Sequence, residues 1–198
     1  MPIRIFDEKG SGANLTVAVK GMQYAVNNGA HILSMSWCFR YSSSILKDAV
    51  DYAYGKGVVL CASAGNEFTS IKKYPAAFDH VIAVGATDWE DQRSWFSNYG
   101  PWVDIAAPGD FIFSTMPTYH VIFNDPPNYA SKNFFWAAGT SCSCPMVASV
   151  AALLLSKNPS LTPNEVKVLL CENVDPYHSN KYIGTGRLNA YKALSALL

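Results

Sequence analysis

The residues best equipped for chemistry are Gly139-Thr140-Ser141-Cys142-Ser143-Cys144-Pro145, which run directly into the apolar segment Met146 to Leu155. A glycine entry, a hydroxyl pair and then a hydrophobic helix can aim a serine outward from a rigid base. Proline at 145 fits the first helical turn, where its missing N–H is not needed. Backbone N–H groups at such a helix start are unpaired and point at any oxygen placed there. A serine held there can attack a carbonyl carbon while those groups stabilise the oxyanion that forms. The plainer alternative is a capped core helix with Thr140 or Ser141 as its N-cap.

Positioning such a serine takes a rigid scaffold, and the chain reads as alternating strands and helices, the pattern of a parallel sheet covered by helices. Ile3–Phe6 reads as a short strand. A helix through Val17, Met22 and Val26 closes at Asn28-Gly29. Buried strands are expected at Ile32–Met35, Val58–Ala62, Val81–Val84 and Val103–Ala106. A helix with Ile45, Leu46, Ala49, Val50 and Ala53 on one face lies between the first two of these. After Leu155, Ser160-Leu161-Thr162-Pro163 marks a helix start, and a short helix covers Leu188–Leu197. Thr118–Asn133 shows no clean period and reads as a surface loop before the serine. No repeat or linker divides residues 1–198, so the chain reads as one unit.

Composition narrows the function. In 198 residues, 49% are hydrophobic and only 15% charged, which excludes a disordered chain and allows a sizeable core. Net charge is zero, so nucleic acid and anionic membrane have no electrostatic support as partners. The apolar run Val147–Leu155 stops at Ser156-Lys157, too short to span a bilayer. The five cysteines, Cys38, Cys61, Cys142, Cys144 and Cys171, are an odd number and do not form a disulfide framework. Cys142-x-Cys144 lacks the second pair or the histidines of a structural zinc site. The N-terminus has no signal-peptide pattern, and the compartment is left open.

Several segments together resemble the subtilisin-like serine proteases. Gly139-Thr140-Ser141 with Pro145 resembles their nucleophile motif, and Ala62-Ser63-Ala64-Gly65-Asn66-Glu67 the segment ending in their oxyanion-hole asparagine. His31–Ser36, Tyr74-Pro75-Ala76, Val81–Ala86, Phe96–Gly100 and Asp104–Gly109 follow the family order as well. The similarity runs from about Ile3 to about Leu194. It implies an α/β, three-layer fold with a mostly parallel sheet flanked by helices. It also implies Ser141 as nucleophile, with its own N–H and the Asn66 side chain as oxyanion donors. Asn66 read without the family is equally a turn residue after a strand.

By the same resemblance an extended peptide or protein substrate pairs with the backbone of Gly10-Ser11-Gly12 and Ser36-Trp37-Cys38, with Ala62, Ser63 and Ala64 as a pocket wall. Cys38 and Phe39 stand where the family usually has glycine, and a Cβ there crowds the approaching peptide. Calcium is usual in the family; here Asp104 matches a ligand of a weaker site but Trp102 replaces its acidic neighbour, so no metal or other cofactor is expected.

The family's triad also needs an aspartate in Asp-Thr/Ser-Gly and a histidine in His-Gly-Thr. Neither motif occurs in this sequence; His31, His80, His120 and His178 are each followed by other residues. The resemblance is therefore to the C-terminal part of a catalytic domain, inactive by itself and complemented by an N-terminal segment or a second chain. In the resembling fold a strand from that absent part lies between those matching Ile3–Phe6 and Ile32–Met35. A non-catalytic descendant that binds peptides is the other reading.

Overall fold

The computed structural model describes residues 1–6, 14–125 and 130–197. Its centre is a six-stranded sheet built on strands with no polar alternation, the pattern expected when both faces are covered. These are β1 (Ile32–Met35), β2 (Val59–Ser63), β3 (Val81–Thr87) and β4 (Ile105–Pro108), followed late in the chain by β7 (Val174–Asp175) and β8 (Arg187–Leu188). The order is β1-β2-β3-β4-β8-β7, parallel except for the β7–β8 pair. Register places Ile32 beside Val59, Leu60 beside Val81 and Val84 beside Ile105.

Alternate residues of each strand enter different cores. Leu33, Met35, Leu60, Ala62, Val81 and Ala83 pack with α1 (Leu15–Asn27) and α2 (Ser44–Gly55). Val59, Cys61, Ile82, Val84, Ile105 and Ala107 pack with α3 (Thr140–Lys157), α4 (Pro163–Glu172) and α5 (Ala190–Ser195). The result is the helix–sheet–helix sandwich expected from the sequence. α4 opens with a reciprocal cap, the Thr162 hydroxyl accepting from the Glu165 N–H while Glu165 reaches back to the Thr162 N–H.

α3 packs against β1, β2, β3 and β4. It corrects one expectation: the helix is longer than its apolar run, and by length and composition it is sufficient to cross a bilayer. Its Val147, Ala151 and Leu154 side chains are nevertheless fully buried against the sheet, which makes it the central core helix.

One further expectation changes. Ile3–Phe6 forms no strand among the described residues. Ile3 and Ile5 are half-buried and Arg4 and Phe6 exposed, an alternation proper to a strand, yet no ladder partner holds them. Between this segment and the outer edge of β1 lies a cavity of about 710 Å³, lined by Ile3, Ile5, Met22, Leu33, Met35 and Trp37 among others. Thr118–Asn133, read as a loop, holds no strand and only one short turn among its described residues, and it lies between two strands that the sequence reading did not anticipate. β5 (Ile112–Thr115) and β6 (Phe134–Ala137) pair antiparallel, and a short 3-10 turn covers Ile122–Asn124.

Candidate active site

Ser36 follows the last residue of β1, Asn66 lies just beyond the end of β2, and both reach the first turn of α3. This is the carboxyl edge of a parallel sheet, where open α/β folds place their ligands. Gly139 is the N-cap of α3 and has no side chain of its own to cap the helix. Thr140 and Ser141 are thus its first residues, and neither is its N-cap. Pro145 consequently falls in the second turn, not the first.

That displacement has a local remedy. A proline there cannot donate to the carbonyl four residues back, which is that of Ser141. The Ser36 hydroxyl donates to this oxygen instead, at 2.9 Å. The Ser141 hydroxyl lies 3.5 Å from the Ser36 carbonyl, at the outer limit of a hydrogen bond. Ser141 itself is exposed, so its oxygen is open to solvent and loosely held.

Asn66 is fixed by the residue before Ser141. Its Oδ1 accepts from the Thr140 N–H and from the Thr140 hydroxyl, both at 2.9 Å. The amide Nδ2 must then face away from Thr140, and it lies 3.1 Å from where a Cβ on Gly139 would stand. Gly139 has φ 148°, so a side chain there is strained as well as crowded. Among the described residues neither Asn66 Nδ2 nor the Ser141 N–H has an acceptor in the chain. Both donors lie around the place a Cβ on Gly139 would occupy, Asn66 Nδ2 at 3.1 Å and the Ser141 nitrogen at 3.6 Å.

The loop that carries Asn66 is pinned by Asn98, which is fully buried. Its Oδ1 accepts from the Glu67 and Thr69 N–H groups, and its Nδ2 donates to the Ala64 carbonyl and to Glu67. Gly65 has φ 100°, and a Cβ on it would meet Asn98 Nδ2 at 2.5 Å. Burial alone would raise the Glu67 carboxyl, but its bonds to Lys73 and Asn98 hold it below the usual carboxylate range.

Thr140 and Asn98 as braces were missed in the sequence, although a hydroxyl directly before a candidate nucleophile is a usable signal. Thr140 also accepts from the buried Gly65 N–H at 3.0 Å. Thr140→Val leaves that N–H unpaired and is expected to cost about 1–3 kcal/mol in urea unfolding, whereas Thr140→Ser retains most of it.

The remaining candidate residues fall as follows. Ser36, Trp37 and Cys38 continue from β1, Ser36 in contact with Ser141, but Phe39 turns to bridge Tyr74 through two backbone hydrogen bonds. Ala62, Ser63 and Ala64 are buried, so what they offer to a cleft is backbone and small volume. Gly10, Ser11 and Gly12 lie outside the described residues.

All five cysteines are free. Burial raises the Cys38 and Cys142 thiols, pushes Cys144 up to about 11 and Cys171 up to about 12, and lifts Cys61 well above its ordinary value. Protonated thiols are poor nucleophiles and poor ligands. No group of three or more histidine, cysteine or acidic side chains is placed to hold a metal among the described residues. Asp104 is occupied: its Oδ1 pairs with Lys167 Nζ at 2.8 Å and its Oδ2 accepts from the Ala83 N–H. Lys167 also donates to the Val81 carbonyl at 3.0 Å. An ammonium holds the place a calcium ion would need there, so these residues do not fit the metal.

The chain is an α/β sandwich with an exposed serine and two free donors, one of them the Asn66 carboxamide, at the carboxyl edge of its sheet. The sequence profile of the subtilase family matches residues 1–188, and the chain belongs to that family. It is 39% identical to thermitase of Thermoactinomyces vulgaris, over 98% of this chain and 64% of that protein. It is 36% identical to subtilisin DY of Bacillus licheniformis, over 96% of this chain and 66% of that one. Among solved structures it is similar to fervidolysin from Fervidobacterium pennivorans, a keratinolytic enzyme related to subtilisin. There the TM-score is 0.86 at 31% identity, covering 98% of this chain and 32% of that one. The chain spans about two thirds or less of the length of these relatives.

Proposed function

We propose that these residues form part of a serine endopeptidase domain in which Ser141 is the nucleophile. Its Oγ attacks the carbonyl carbon of a peptide, forming a C–O bond as the hydroxyl proton passes to a base. The Ser141 N–H and Asn66 Nδ2 stabilise the oxyanion; the C–N bond then breaks, the amine leaves with the proton, and water hydrolyses the ester. The substrate lies extended along Ser36-Trp37-Cys38 and Gly10-Ser11-Gly12, with Ala62–Ala64 bordering the side chain before the scissile bond. The observation that supports this reading is the Thr140 grip on Asn66 Oδ1, which turns Nδ2 toward Gly139, within 3.1 Å of where a Cβ there would stand.

The base and its orienting aspartate come from another segment of polypeptide, and the cavity beside β1 receives one of that segment's strands. The 198 residues by themselves are accordingly expected to be nearly inactive. A non-catalytic, peptide-binding descendant is the second reading. What favours it is Phe39, sealed against Tyr74 where a substrate backbone needs room. A fluorophosphonate probe separates the two. Stoichiometric labelling at Ser141 once a segment bearing Asp-Thr/Ser-Gly and His-Gly-Thr is joined supports the peptidase. No labelling of that joined protein sinks it.

A further inference from the structure

The β5–β6 ribbon exposes an aromatic surface that the fold does not use. Phe113, Phe134 and Trp136 are each more than half exposed, as are Phe111 just before β5 and Trp89 beyond β3. Their rings touch in two groups. Phe113 packs on Trp136 at 4.8 Å between centroids and on Phe134 at 5.5 Å, while Trp89 meets Phe111 edge-on at 5.0 Å. Phe111 holds φ 52°, a conformation costly for a bulky residue, and it does so while presenting its ring to water. An exposed apolar patch of this kind marks an interaction site.

The charges around it select the partner. Asp88 and Glu90 flank Trp89, and Asp110 precedes Phe111. Among the described residues none of the three carboxylates pairs with a cation; Asp88 and Asp110 accept only backbone N–H groups, and Glu90 accepts from Gln92. Arg93 is turned away, donating to the Ser94 and Ser97 carbonyls over the Phe68 ring. Lys132, near Phe134, is the one cation adjoining the patch in sequence. Three carboxylates against one ammonium leave an acidic excess. That excess repels an anionic membrane, and it sets like charge against like in a face-to-face pair of copies. It attracts lysine and arginine side chains, which aromatic faces also bind.

We propose that this surface docks a polypeptide segment in which basic and aromatic or aliphatic residues are interleaved. β6 ends three residues before Thr140, so a bound segment lies within a short stretch of chain from Ser141. If the peptidase reading holds, the segment is part of the substrate, and this step alone rests on that reading.

The test is fluorescence anisotropy with a labelled ten-residue peptide of alternating Lys and Phe, set against its Glu/Phe counterpart. The Lys/Phe peptide is expected to bind at least tenfold more tightly, with affinity falling as salt rises. F113S/W136S and, separately, D88N/E90Q/D110N should each weaken it about tenfold while the urea midpoint stays unchanged. Equal binding of both peptides, or unchanged binding in the two variants, overturns the proposal. So does preferential binding of phosphatidylglycerol vesicles, or self-association that the patch variants abolish without peptide binding. In the joined protein the same variants should raise KM for a Lys/Phe-bearing substrate and leave fluorophosphonate labelling of Ser141 intact. Lost labelling in the unsubstituted protein would strike the peptidase reading while leaving the docking result standing.

Discussion

Ser141→Ala in the protein joined to its Asp- and His-bearing segment is expected to lower kcat by about 10⁶, the loss known for subtilisin, a member of this family. The size follows from the chemistry: without Oγ no acyl-enzyme forms, and the base has no proton to take. What survives is transition-state binding by the free donors, worth about 10³–10⁴ over water. Asn66→Ala should fall between, losing about 10²–10³ in kcat with KM little changed, because Nδ2 acts where charge develops. Single-turnover kinetics on a peptide ester and an amide reads both. If Ser141→Ala keeps even a hundredth of the activity, another residue is the nucleophile. If Asn66→Ala is silent, its bonds to Thr140 are purely structural.

This ordering separates the proposed roles from the braces. Asn66→Asp keeps an acceptor for Thr140 but loses the donor, so it should fold like the parent and still lose activity. Thr140→Val does the reverse. It keeps Asn66 Nδ2 but removes the hydroxyl between the Asn66 carboxamide and the Gly65 N–H. A loss of stability larger than its loss of activity is expected there.

The sheet was legible because its strands are buried on both sides, and continuous runs such as Val58–Ala62 and Val81–Val84 announce that directly. Strand ends moved by a residue or two, as where Val103–Ala106 became Ile105–Pro108, because backbone pairing rather than side-chain type decides them. Ser141 and Asn66 were readable as a motif. The bonds that hold them were not, since Thr140, Asn98 and Ser36 act across gaps of 74, 29 to 34 and 105 residues. Pro145 misled for a similar reason. A proline ordinarily marks the first helical turn, and only the Ser36 hydroxyl, distant in sequence, explains how α3 starts earlier. The β5–β6 ribbon was missed because its aromatics lie exposed, so no buried face gives them a period.

Filling the space beside β1 should raise the urea midpoint by at least about 1 M, which at roughly 2 kcal/mol per M is about 2 kcal/mol of stability. The reasoning begins with Ile3–Phe6, whose alternation is that of a strand but whose backbone has no ladder. Its two isoleucines rest on α1, their methyls at 3.0 and 3.1 Å from where a Cβ on Gly21 would stand. β1 is the outermost strand of the described sheet on that side and leaves an edge unpaired. Neighbouring strands stand about 4.8 Å apart, so one inserted strand would serve both edges at once. Each large apolar side chain it buries returns about 1.5–3 kcal/mol, against about 1–2 kcal/mol per residue for ordering its backbone. The surplus is therefore modest and depends on covalent attachment, which removes the association cost. Unfolding curves with and without the joined segment test it, and a segment carrying proline at each inward position should restore the lower midpoint. Equal midpoints in all three proteins would mean that the space beside β1 is a surface groove and that Ile3–Phe6 needs no partner.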